Sequence, residues 1–108
     1  MTEAKFQQQC FMWHWNTYPK QRGRLYMNYN NPKNKAHGAV LKGMGLMAGV
    51  ADFSYLCSNK MVYIELKTDN GIQSDKQKDF ERLVIDLGHE YHICKDLEHF
   101  KKIIQSHD

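Results

Sequence analysis

Apolar residues recur along the chain at two different periods. Phe6, Cys10 and Trp13 are helically spaced after Thr2-Glu3-Ala4-Lys5, where a hydroxyl and a first-turn acid mark a helix start. The spacing predicts a helix to about Asn16, stopping before Tyr18-Pro19. Leu25-Tyr26-Met27 reads as a short strand. Asn28 to Gly49, rich in Asn, Gly and Lys, reads as loop with a weak helical turn around Ala39-Leu41. Ala51 to Cys57 and Met61 to Thr68 are strand-like blocks joined by a turn at Ser58-Asn59-Lys60. A helix opens at Ser74, with Phe80, Leu83, Val84 and Leu87 as its apolar stripe and Gly88 as its end. Tyr91 to Cys94 forms another strand. A last helix, Asp96 or Leu97 to about Gln105, turns Leu97, Phe100, Ile103 and Ile104 inward. The order α-β-β-β-α-β-α predicts an α/β fold, a mixed β-sheet flanked by helices.

At 108 residues and 12.8 kDa the chain has room for one domain, 1–108, and it shows no linker, repeat or low-complexity tract. A composition of 42% hydrophobic and 25% charged residues excludes disordered and fibrous classes. No apolar run is long enough to span a bilayer, and polar Met1 to Gln9 argues against secretion. Cys10, Cys57 and Cys94 are odd in number and in no C-x-x-C pair, which reads as reduced thiols in a cytoplasmic protein. His89, His92 and Cys94 invite a zinc reading, but the spacing of a four-ligand site is missing. The net charge of +3 is compatible with a polyanionic partner and proves none.

The hairpin carries the chemistry. Alternation puts Ile64 and Leu66 on one face of their strand, Glu65 and Lys67 on the other, and a charge in an apolar stretch is costly unless it faces a cleft or partner. With a two-residue turn at Ser58-Asn59, paired residue numbers sum to 117 and Asp52 lies across from Glu65. Opposed like charges about 5 Å apart are destabilising and favour a cation between them. A three-residue turn would put Phe53 opposite Glu65 and scatter the acids. Carboxylate oxygens suit Mg²⁺ or Mn²⁺, and such an ion beside a lysine is apparatus for hydrolysing a phosphodiester. Without it the hairpin is an ordinary surface ladder.

Gly49-Val50-Ala51-Asp52, Ile64-Glu65-Leu66-Lys67, Gly71-Ile72-Gln73-Ser74 and Gln77, in this order, resemble the PD-(D/E)XK nuclease superfamily and its virus-type replication-repair nuclease domain (VRR-NUC). The resemblance covers essentially the whole chain and implies a restriction-endonuclease-like core. It also implies that Asp52, Glu65 and the carbonyl of Leu66 bind Mg²⁺ or Mn²⁺, that Lys67 is catalytic, and that Glu3 reaches the same site. Ala51 departs from the pattern, which usually has proline there; proline donates no ligand, so the departure touches geometry rather than chemistry. The resemblance further implies a homodimer acting on branched DNA such as Holliday junctions, with a role in DNA repair and a cytoplasmic setting, the host's if the chain is phage-encoded.

Other residues carry two readings each. Ser74-x-x-Gln77 is a capping box, while its functional reading, supported by the resemblance, turns Gln77 toward the metal site and leans the helix N-terminus at Ser74 toward a phosphate. Glu3 is a first-turn acid favoured by the helix dipole or a member of the site. Arg22, Arg24, Lys33, Lys35 and Lys42, with tyrosines interleaved and no acid between Lys5 and Asp52, are solvated loop charges or DNA contacts. Asn28 and His37 are secondary candidates, and Trp13 and Trp15 read as core or dimer interface. The expected function is a metal-dependent DNA endonuclease selective for branched DNA. Its alternatives are a nicking or end-processing nuclease and a non-catalytic nucleic-acid-binding module.

Overall fold

The computed structural model describes residues 1–30 and 32–107. The elements are α1 (Glu3–Thr17), a 3-10 turn (Pro19–Gln21), β1 (Leu25–Met27), α2 (Lys35–Gly43), β2 (Phe53–Leu56), β3 (Met61–Leu66), α3 (Asp75–Asp86), β4 (Glu90–Cys94) and α4 (Leu97–Gln105). The strands lie in the order β1-β2-β3-β4. Both pairs up to β3 are antiparallel, and β3-β4 is parallel, joined by the α3 crossover. Phe53 pairs with Ile64, Tyr55 with Val62 and Leu56 with Met61, the register that the two-residue turn predicts. The Cys57 N–H closes the turn on the Lys60 carbonyl at 3.1 Å.

Alternation along β3 divides the core in two. Val62, Ile64 and Leu66 turn to one face and pack with Phe6 and Cys10 of α1, Phe53 and Tyr55 of β2, and Phe100, Ile103 and Ile104 of α4. Tyr63 turns to the other face, where Ala51, Phe80 and Val84 are buried beneath α3. Glu65 and Lys67 therefore sit on the α3 side of the sheet, against the smaller and more polar of the two cores.

Three expectations need correction. The weak turn around Ala39-Leu41 is a nine-residue helix, α2, capped by the Asn34 side chain, which accepts from the His37 N–H. The element order is therefore α-β-α-β-β-α-β-α. In α3 only Phe80 and Val84 are buried, while Leu83 and Leu87 are 46% and 67% exposed. The rings of Tyr63 and Tyr91 pack edge-on to Phe80, with centroids 5.0 and 6.3 Å away, and fill the width that a second apolar row would occupy. The strands are also shorter than expected: β2 begins at Phe53 and β3 ends at Leu66, while β4 gains Glu90.

At the end of the sheet away from Asp52, Glu90 gathers three partners. Its carboxylate lies 2.5 Å from Lys60 Nζ, 3.1 Å from His92 Nε2 and 2.8 Å from His107 Nε2. Chiefly through Lys60, these hold the Glu90 carboxyl down at about 2, against an ordinary value of 4.5. A depressed carboxylate stabilises the fold above its unfolded value and loses that contribution as pH falls through the folded one. Glu90→Gln should therefore cost about 1 kcal/mol at neutral pH, an amount set by partial exposure. It should also flatten the loss of stability between about pH 4.5 and 2 in urea titrations. His92 is thus hydrogen-bonded to Glu90, Cys94 is buried in the larger core, and His89 Nδ1 accepts from the Met61 N–H, so these three turn to separate tasks.

Candidate metal centre

Asp52 lies at the entry to β2, one residue before the ladder begins, and Glu65 across from it near the end of β3. Glu3 joins them from the first residue of α1, whose start is fixed by Thr2 Oγ1 accepting from the Lys5 N–H. Carboxylate oxygens of Glu3, Asp52 and Glu65 lie within 4.8 Å of one another. They line a cavity of about 230 Å³ with Asn30, Gly49, Val50, Ser74 and Gln77.

Each acid is held differently. Asp52 Oδ2 accepts from the Leu66 N–H at 2.7 Å and Oδ1 from Asn30 Nδ2 at 3.1 Å, so its plane is fixed from both sides. Glu65 is 1% exposed. Its Oε2 accepts from Gln77 Nε2 at 2.9 Å and lies 3.5 Å from Lys67 Nζ. Its Oε1 is the buried side-chain polar atom among the described residues that has no hydrogen-bond partner. Burial, reinforced by the charge of Asp52 and opposed by Lys67, pushes the Glu65 carboxyl up to about 8. A buried carboxylate oxygen without a donor, facing two further carboxylates, is a set of hard oxygen donors that a divalent cation fits.

Gln77 unites the two readings of the capping box. Its Oε1 accepts from the Ser74 N–H at 2.8 Å, and Ser74 Oγ accepts from the Gln77 N–H at 3.2 Å. The same Oε1 also accepts from Lys67 Nζ at 2.9 Å. Two donors on one atom fix the amide orientation and leave Nε2 for Glu65. One side chain therefore ties the start of α3 to the lysine and to the acid. The first turn of α3 is brought this close by Gly49, whose φ is +80° and which packs against the Lys76 carbonyl and the Gln77 N–H.

The structure brings Glu3, Asp52, Glu65, Leu66, Lys67, Ser74 and Gln77 together; Leu66 is seen to contribute its N–H. It separates the arginines from them. Arg24 lies at the far end of the β1-β2 ladder, over the Tyr55 ring at 4.6 Å, and donates to the Leu56 carbonyl at 2.8 Å. Arg22 stacks over Trp15 at 4.4 Å and donates to the Trp15 carbonyl. Both therefore stand apart from the lysines, Arg22 exposed with its Nε on the Trp15 carbonyl, so the expected cationic patch divides. Lys33, Lys35 and Lys42 are exposed on the segment that borders the cavity. Asn28 supports the site from behind, donating to the Ala51 carbonyl and Ser54 Oγ, while His37 caps locally, accepting from the Lys33 N–H. Trp13 packs against the core, edge-on to Phe100. Asn30 is the site residue that the sequence reading missed. Its signal is period two: continuing β1 past Met27 puts Asn28 and Asn30 on the face of Tyr26.

Three α/β layers, with an acidic cavity where the central antiparallel hairpin meets the first turns of α1 and α3, define the nuclease-like fold that the sequence motifs resemble. A solved structure described as a VRR_NUC domain protein superposes with a TM-score of 0.81 over 99% of this chain and 88% of its own, at 21% identity. The chain therefore has the fold of a VRR_NUC domain. No family model and no curated protein matches the sequence. No helix among the described residues is long and apolar enough to cross a membrane.

Proposed function

We propose that the chain is a metal-dependent endodeoxyribonuclease that hydrolyses phosphodiester bonds, with a preference for branched DNA such as four-way junctions. The observation that carries this reading is the meeting of Glu3, Asp52 and Glu65 within 4.8 Å, with Glu65 Oε1 unpartnered and Lys67 Nζ 3.5 Å from Oε2. A binding module has no use for clustered carboxylates, which repel phosphate. Mg²⁺ or Mn²⁺, held by Asp52, Glu65 and the Leu66 carbonyl with Glu3 nearby, would polarise the phosphoryl oxygen and lower the pKa of bound water. The protein's own groups do the rest. Lys67, held by Gln77, presents an ammonium that orients the attacking water and offsets charge developing on the phosphate. Ser74 and the N-terminus of α3, which open onto the cavity, receive phosphate oxygens. A cytoplasmic setting accords with three free cysteines.

Paired cuts on a junction need two sites, and a second copy supplies the other. An apolar groove of about 500 Å³ between α1 and β1, lined by Phe11, Trp15, Leu25, Tyr26 and Met27, supports pairing there. The strand β1 is an edge of the sheet, open to another chain.

Incubation with Mn²⁺ and labelled four-way, flap and linear DNA tests the activity. Cutting is expected, strongest on the junction, and at least about 100-fold weaker in Lys67→Ala. No cutting of any form, with Glu65→Ala binding DNA as well as the parent, would favour the binding module. Equal cutting of all three forms would leave a nuclease without junction preference. Sedimentation should give twice the chain mass.

A further inference from the structure

Residues 28–50, between β1 and β2, are rooted at both ends in the carboxylate cavity. At one root Asn30 donates to Asp52; at the other Gly49 packs against the first turn of α3. Between the roots α2 buries only Gly38, which packs beside Pro32 of the same segment. A nine-residue helix with one buried position draws little stability from the core. Its outer surface is unusual for a helix in water: Val40 is 61% exposed, and Met44, one turn on and on the same face, is 77% exposed. Met47 follows at 45%. Lys33, Lys35 and Lys42 are exposed on the same segment, and residues 6–51 contain no acid.

Two chemistries on one arm narrow the partner. The lysines match phosphates, and the arm is continuous with the cavity where the scissile phosphate would lie. Methionine and valine have nothing to gain from phosphates, but they match the face of a base. A continuous duplex hides those faces in its stack; a branch point exposes them. We propose that α2 and its flanks are a DNA-gripping arm, with Lys33, Lys35 and Lys42 on phosphates and the Val40-Met44 ridge against a base unstacked at a branch. This rests on the nuclease reading and gives it a source of shape preference.

The test uses the full chain with Ca²⁺ in place of Mn²⁺, a four-way junction carrying 2-aminopurine at the branch, and a matched linear duplex. Parent binding should raise the 2-aminopurine fluorescence. Val40→Ser with Met44→Ser should abolish that rise and lower the junction-over-duplex preference about tenfold, with the salt slope unchanged. Lys35→Ala with Lys42→Ala should weaken both DNAs and lower the log–log salt slope by roughly 2. Because these side chains are exposed, the melting curves should match the parent. Parent-like binding by both double variants, or a parent that binds no DNA, overturns the arm. So does loss of the ridge converting a dimer to monomer, or altering only binding to phosphatidylglycerol vesicles. Binding with the expected signatures but no cutting in Mn²⁺ keeps the arm and removes the nuclease; cutting indifferent to all four changes does the reverse.

Discussion

Glu65→Gln is expected to lower DNA cleavage at least about 1,000-fold while making the metal-free protein more stable. The two effects share one cause. Glu65 is 1% exposed, faces Asp52 and Glu3, and has one oxygen without a donor. Ionised, it adds a third negative charge to a confined cluster; neutral, it removes the repulsion and keeps the shape. An amide can still accept from Gln77 through its oxygen, and its N–H₂ then takes the place of Oε1, which accepts no hydrogen bond. The pH sign follows from the raised carboxyl, about 8 against an ordinary 4.5. An acid whose folded value is raised contributes stability that is complete below the unfolded value and lost as pH rises through the folded one. Thermal melts in EDTA should show the parent weakening between about pH 4.5 and 8, by something on the order of a few kcal/mol, and Glu65→Gln weakening much less. A variant less stable than the parent at pH 8 in EDTA would contradict this account of the cluster.

Gly49→Val should be the most damaging single change outside the core. A Cβ at that position would lie 2.3 Å from the Lys76 carbonyl oxygen and 2.8 Å from the Gln77 nitrogen, both backbone atoms that cannot turn aside. The φ of +80° adds strain for any branched side chain. Either the loop or the first turn of α3 must move, at a cost of about 3 kcal/mol or more. Gln77 moves with that turn, so Lys67 and Glu65 lose their shared partner and activity falls further than stability alone explains. Gly45→Ala is the control, because Gly45 has φ +108° and nothing within 4 Å of an added Cβ. It should lose about 1 kcal/mol from strain alone and keep its activity. Urea midpoints and Mn²⁺-dependent cleavage of the two variants separate close packing from backbone strain.

The meeting of side chains at the candidate site was legible in the sequence largely because local rules fix it. A two-residue turn sets the register that opposes Asp52 to Glu65, alternation sends both to the α3 side, and Ser74-x-x-Gln77 announces the helix start that leans over them. Glu3 needed more, since only the packing of α1 on the sheet decides where its first turn opens. Residues whose surroundings depend on tertiary placement were less legible. Arg22 and Arg24 are near Lys33 in sequence, yet the β1-β2 ladder carries Arg24 to Leu56, the far end of the hairpin. The helix α2 escaped because Gly38 and its lysines weaken the apolar period, while the cap at Asn34 was the better signal. Leu83 and Leu87 fit a helical stripe, but the faces of Tyr63 and Tyr91 left them no place inside.

Whether the three carboxylates from α1 and the hairpin hold one divalent ion, as proposed, is read without DNA by spin-resonance titration of Mn²⁺. Loss of the free Mn²⁺ signal at one ion per chain is expected, with affinity at least about tenfold weaker in Asp52→Asn, whose fold should be intact. No binding at millimolar Mn²⁺, or equal binding by parent and Asp52→Asn, would contradict the proposal.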